Sequence, residues 1–93
     1  MIVSFKDKAT EAISAGKPPR SFSAELMRAA QRKLFMMHSA NQLRDLVSPP
    51  GNRLEALRGD RAGQHSIRIN SQWRVCFTWR EDGAHDVEIV DYH

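Results

Sequence analysis

Three separated stretches hold side chains suited to work on a phosphodiester. Residues 52–63 carry Arg53, Glu55, Arg58 and Arg61, a later segment reads Trp73-Arg74, and the chain closes with Asp91-Tyr92-His93. Cutting RNA without a metal needs a base for the 2′-hydroxyl, an acid for the leaving 5′-oxygen, and cations to hold the charge that builds on phosphorus. Imidazole titrates near neutral pH, so His93 can be the acid or the base. Tyr92 can stack on a nucleobase or donate to a phosphate oxygen, and Asp91 can orient either neighbour. The planar fork of arginine matches a phosphate bidentately, which suits Arg74 and Arg58. Taken alone, the same residues also fit a solvated face that tolerates arginine and a frayed terminus.

Composition narrows the class. A 93-residue chain makes one domain, residues 1–93, with one modest core. No apolar run approaches the ~20 residues that cross a bilayer, and Met1-Ile2-Val3-Ser4-Phe5-Lys6 lacks a signal-peptide core. The expected compartment is the cytoplasm, with no membrane contact. Cys76 is the single cysteine, which excludes an internal disulfide and a multi-cysteine zinc site, and it reads as a small strand residue. His38, His65 and His85 show no metal-ligand spacing and read as structural or surface residues. No phosphate-binding loop, dinucleotide motif or nucleophile elbow is present. Neither a metal nor a cofactor is expected.

The net charge of +3 is unevenly spread. Residues 53–80 hold six arginines, no lysine and two acids, whereas residues 81–93 hold five acids and no lysine or arginine. The excess of arginine raises the case for a nucleic-acid partner modestly.

Elements follow from period and punctuation. Residues 2–5 predict a short opening strand. Residues 7–15 predict a helix stopped by Gly16 with Pro18 and Pro19 beyond. Ser21 or Ser23 caps a second helix running to about His38. Its stripe of Leu26, Ala30, Leu34 and Met37 faces inward, and Phe35 projects from the polar side. Ser39 and Gln42 fit a capping box for a short helix over 40–46, and Pro49-Pro50-Gly51 ends helical structure. The period then becomes two, predicting strands over 53–57, 66–70, 73–80 and 86–92, with Gly59–Gly63 as a loop and Glu81-Asp82-Gly83 as a hairpin turn. The fold class is therefore α+β: an antiparallel sheet with a helical hairpin packed on one face. Ile67, Ile69, Trp73, Val75, Phe77, Trp79, Val87 and Ile89 would face the helices. Arg68, Arg74 and Arg80 would share the opposite face.

These residues also resemble a known family. The run from Pro49 to Asn70, then Gln72-Trp73-Arg74-Val75-Cys76-Phe77, then Val90-Asp91-Tyr92-His93, look like the HigB toxins of the RelE/ParE superfamily, nearest its GraT-like branch. The opening eight residues and Leu43-Arg44-Asp45-Leu46 fit as well, so the resemblance spans nearly the whole chain. It implies a RelE/ParE-like fold and a ribosome-dependent endonuclease that cuts messenger RNA in the A site. The implied partners are a HigA-like helix-turn-helix antitoxin, the ribosome and mRNA, with operator DNA reached only through the antitoxin. By position, the implied active site is Arg58, Arg74, Asp91, Tyr92 and His93, with Arg58 at the phosphate. Arg53, Arg61 and Arg68 are further expected RNA contacts on their charge. Glu55 stands where some HigB proteins carry histidine, and Arg58 where some carry lysine. Either Glu55 replaces that histidine as the base, or His93 acts alone. A different reading keeps the fold and drops the chemistry: a protein that inhibits by occupying the ribosome or another target.

Overall fold

Period-two patterning in the C-terminal half becomes a four-stranded antiparallel sheet in chain order: β1 (Glu55–Ala56), β2 (His65–Arg68), β3 (Trp73–Arg80) and β4 (Gly83–Asp91). The computed structural model describes residues 1–92, so the expected acid or base His93 lies outside the described residues. Two helices, α1 (Lys8–Ser14) and α2 (Ala24–Ser39), precede the sheet and pack on one of its faces, giving the expected α+β architecture. Each helix starts on a side-chain cap: Asp7 accepts from the Thr10 amide at 2.7 Å and Ser23 from the Leu26 amide at 3.0 Å. Of the two serines open as caps, the geometry selects Ser23. Just past α1, Gly16 takes φ 89°, the left-handed turn that ends a helix cheaply only at glycine.

The helix-facing side of the sheet is as the alternation predicts. Ile67, Val75, Phe77 and Val87 are fully buried against Ile13, Ala30, Leu34, Met37 and Leu46. Ile69 is buried too, while Trp73, Trp79 and Ile89 are half-buried at the margins. Phe22 meets Trp73 edge-on at 5.1 Å, closing one end of the core. Each buried aliphatic or Phe side chain stabilises the fold by about 1.5–3 kcal/mol relative to exposure. Phe35 stays exposed on the outer side of α2, as read from the sequence.

Three local expectations change. The opening segment makes isolated parallel bridges, Ile2 to Ala84 and Phe5 to Val87, along the free edge of β4. It therefore shields an edge that would otherwise expose unpaired backbone groups. That edge is irregular, because the β3–β4 register moves from Cys76↔Glu88 to Thr78↔His85 with Asp86 at φ 52° as the extra residue. The bulge lets Ala84 and Val87, three residues apart, both point into the core. Gly83 completes the arrangement, since at φ 131° a Cβ there would sit 2.1 Å from the Met1 carbonyl oxygen. The short helix expected over 40–46 is instead a 3-10 helix, Leu43–Val47, whose Asp45 carboxylate accepts from the Asn41 and Gln42 amides. The strand expected over 53–57 shrinks to Glu55–Ala56. A 3-10 turn at Pro50–Asn52 leads into Arg53 in the left-handed region (φ 45°, ψ 55°), so pairing begins only afterwards.

A buried polar pair holds that turn in place. Asn52 is fully buried, accepts from the Lys33 ammonium through Oδ1, and donates through Nδ2 to the carbonyls of Leu46 (3.1 Å) and Ser48 (3.2 Å). Burial, aided by the Arg32 charge, pushes the Lys33 amine below its ordinary value. The pair ties the loop before β1 to α2, and it fixes where Arg53 hands its carbonyl to the site.

Candidate active site

Register builds the site. Glu55, Ser66, Cys76 and Glu88 lie side by side across β1 to β4, on the face turned away from the helices. One step along, Arg68 faces Arg74, and Arg74 faces Val90. Like charges directly opposite are unfavourable on a sheet, so this row concentrates positive potential that an anion would relieve.

Arg74 is the most constrained group. Its Nε donates to Ser66 Oγ at 2.8 Å and its Nη2 to the Arg53 carbonyl at 2.7 Å. Nη2 also lies 3.5 Å from Glu55 Oε1, and the guanidinium carbon sits 5.9 Å from the centre of the Tyr92 ring. The Arg74 side chain is only 11% exposed whereas that of Glu55 is 53% exposed. The ion pair is therefore anchored on the arginine side and loose on the acid side. Arg68 curls back to the Asn70 carbonyl at 2.9 Å, next to Arg74.

Beneath the guanidinium the face is closed. Ser66 and Cys76 are buried although they point away from the helices; Arg74 bonds to Ser66, and the charges of Arg61 and Arg74 act on Cys76. Burial pushes the Cys76 thiol up from its ordinary value, against the opposing pull of the Arg61 and Arg74 charges. The neutral thiol is favoured, in keeping with a strand residue rather than a nucleophile.

The loop between β1 and β2 carries Arg58 and Arg61 with different fates. Arg58 begins the 3-10 turn Gly59–Arg61, is exposed, and has no side-chain hydrogen bond or ion pair among the described residues. Arg61 turns inward: its Nη1 donates to Gln64 Oε1 at 3.1 Å and to Glu88 Oε1 at 3.0 Å. The bond to Glu88 holds its guanidinium above the ordinary value. Arg61, expected from sequence as an RNA contact, has its side chain engaged within the chain and 30% exposed. The Arg53 side chain is exposed, and its backbone carbonyl is what touches Arg74.

The structure accordingly gathers Arg74, Glu55, Tyr92 and Arg68, and leaves Arg58 at the rim. Asp91 is set apart: it pairs with Trp73, on the alternation opposite to Arg74, and accepts from Gln72 Nε2 at 3.2 Å. Sequence reasoning missed Ser66, Glu88 and Asn52. Alternation could have found the first two, since Ser66 precedes Arg68 by two residues and Glu88 precedes Val90 by two. Nothing local marks Asn52 as buried. Among the described residues no group of three or more His, Cys, Asp and Glu gathers as a metal-ligand set, and no helix is long and apolar enough to cross a membrane.

Relatives share this chain's pattern. Over residues 3–93 it matches the HigB-like toxin family, described as the RelE-like toxin of the type II toxin-antitoxin system HigB. It is 40% identical to Toxin HigB-1 of Vibrio cholerae serotype O1 over 80 residues, covering 85% of this chain and 84% of the relative. It is 27% identical to Endoribonuclease HigB of Proteus vulgaris over the full length of both chains, 93 residues. Among solved structures, a chain of the YoeB-YefM complex from Staphylococcus aureus superposes with a TM-score of 0.64 at 17% identity, covering all of this chain and 95% of that one. This last likeness speaks for the fold.

Proposed function

The chain belongs to the HigB-like toxins, the RelE-like toxins of type II toxin-antitoxin systems, and from that premise we propose that it is an endoribonuclease that acts on messenger RNA in the ribosomal A site. The observation that carries this reading is Arg74, fixed by Ser66 and the Arg53 carbonyl on a cation-rich face beside the Tyr92 ring. A guanidinium held before substrate arrives costs no reorganisation when charge develops on phosphorus. Being a preformed cation, it needs no metal for that task.

The step proceeds by transesterification. The 2′-oxygen attacks phosphorus as its proton passes to the Glu55 carboxylate. The bond to the 5′-oxygen breaks, and His93 delivers a proton to that oxygen, leaving a 2′,3′-cyclic phosphate. Arg74 and Arg58 hold the phosphate oxygens, and Arg68 adds to the field. Tyr92 stacks on the base or donates to the phosphate, and Asp91 steadies the terminal segment through Gln72. Glu55 is suited to the base role because it is half-exposed and lies 3.5 Å from the phosphate-binding guanidinium. The ribosome presents and orients the message, which explains how so small a protein handles a long polymer. A HigA-like helix-turn-helix antitoxin is the expected inhibitor, through which operator DNA is reached. A ribosomal substrate would place its action in the cytoplasm.

Two measurements test this. Mapping of RNA ends on mRNA-programmed ribosomes should show cuts that need the ribosome, and Glu55→Gln should lower the rate about 100-fold or more. Growth arrest by the wild type with no cut message would instead support occupancy of the ribosome without chemistry.

A further inference from the structure

The ion pair between Arg61 and Glu88 joins the arginine-bearing loop to a strand at the other side of the site. Arg61 closes the 3-10 turn that Arg58 opens, with its amide donating to the Arg58 carbonyl at 3.2 Å. Its side chain then crosses to Glu88 on β4, and the same nitrogen donates to Gln64. Two backbone bonds tighten the loop further, Leu57 amide to Gln64 carbonyl (2.9 Å) and Gln64 amide to Arg61 carbonyl (3.0 Å). The Arg61 and Glu88 side chains are 30% and 20% exposed, so the pair is partly shielded from water and salt. On its N-terminal side the loop is held by β1, of only two residues, while its other end runs into β2. Among the described residues, the Arg61 side chain is what fastens the loop to β4.

We propose that Arg61 and Glu88 are positioning residues: their pair clamps the 57–64 loop onto β4 so that Arg58 meets the RNA phosphate at a fixed distance from Arg74. The inference rests on the nuclease reading above. It separates two arginines of one loop by role, one free to touch substrate and one holding the first in register. A misplacement of about 1 Å in a group that stabilises the transition state can cost about 100-fold in rate, so a remote tie of this kind has room to act.

The test is a double-mutant cycle in single-turnover cleavage on programmed ribosomes. Glu88→Gln keeps shape and hydrogen bonding while removing the charge, and should slow the saturating rate about tenfold or more with little change in half-saturation. In an Arg58→Ala background the same Glu88→Gln change should have almost no further effect, because the group it positions is gone. Arg61→Lys should retain part of the rate. Amide exchange at Arg61, Ala62 and Gln64 should quicken in Glu88→Gln while amides of β3 stay protected, which separates loop release from unfolding. Additive losses from Glu88→Gln and Arg58→Ala, or tighter RNA binding on release of Arg61, overturn the clamp and make Arg61 a substrate ligand. No cleavage by the wild type brings down the nuclease reading and the clamp together, whereas cleavage with additive losses brings down the clamp alone.

Discussion

The two faces of the sheet are made by alternate residues of the same strands, yet they obey different rules. On the helix side, Val75 and Phe77 are fully buried among aliphatic neighbours, and what matters is volume. On the other side, Ser66 and Cys76 are equally buried, but their neighbours include two guanidiniums, of Arg74 and Arg61, that bond to Glu55, Glu88 and a backbone carbonyl. Such a setting is dense enough to fix Arg74 and polar enough to receive a phosphate. The contrast teaches that the uncovered face is built as carefully as the core, with Arg58, Tyr92 and Glu55 among the groups left exposed on it.

Substitutions should divide along the same line. The largest effect belongs to the core face: Phe77→Ala should cost about 3–5 kcal/mol, seen as a fall in the thermal midpoint of several degrees per kcal/mol. Next comes Arg74→Ala, which should reduce cleavage about 100- to 1,000-fold and leave the melting transition cooperative. Arg74→Lys should recover little, because an ammonium cannot reproduce the fork that reaches Ser66 and Arg53 together. A core variant that stays stable but loses cleavage, or an Arg74 variant that fails to fold, would break the division. Asn52→Ala tests the join between the faces. It strips partners from Lys33 and from the Leu46 and Ser48 carbonyls, and should cost about 1–3 kcal/mol in denaturant unfolding.

The smallest effect concerns Cys76. Its thiol is raised in the folded chain, so the neutral form is favoured by folding. That stability is fully present below the unfolded thiol value near 9.0 and is lost as pH rises through the higher folded value. Alkylation of native protein at pH 8 should be slow and should speed up only on unfolding, while Cys76→Ala should flatten the alkaline arm of the stability curve.

Much of this was legible in advance because it depends on local pattern. The alternation over Trp73–Arg80 placed Arg74 and Arg68 on one face and the apolar residues on the other. The glycine stop placed the end of α1 and the serine cap the start of α2. What was not legible depends on partners distant in sequence. The parallel pairing of residues 2–5 requires knowing where the β4 edge lies. The bulge at Asp86 answers a packing demand that no turn signal announces. The charge of Arg53 and Arg61 is visible in the sequence, whereas the bond from Arg74 to the Arg53 carbonyl and the reach of Arg61 to Glu88, 27 residues away, are not.

The most direct measurement is the mapping of message ends on programmed ribosomes for wild type and Arg74→Ala side by side, once both melt as folded proteins. The account predicts discrete cuts with the wild type and at least a 100-fold slower appearance with the variant. Equal cutting by the two proteins would contradict it.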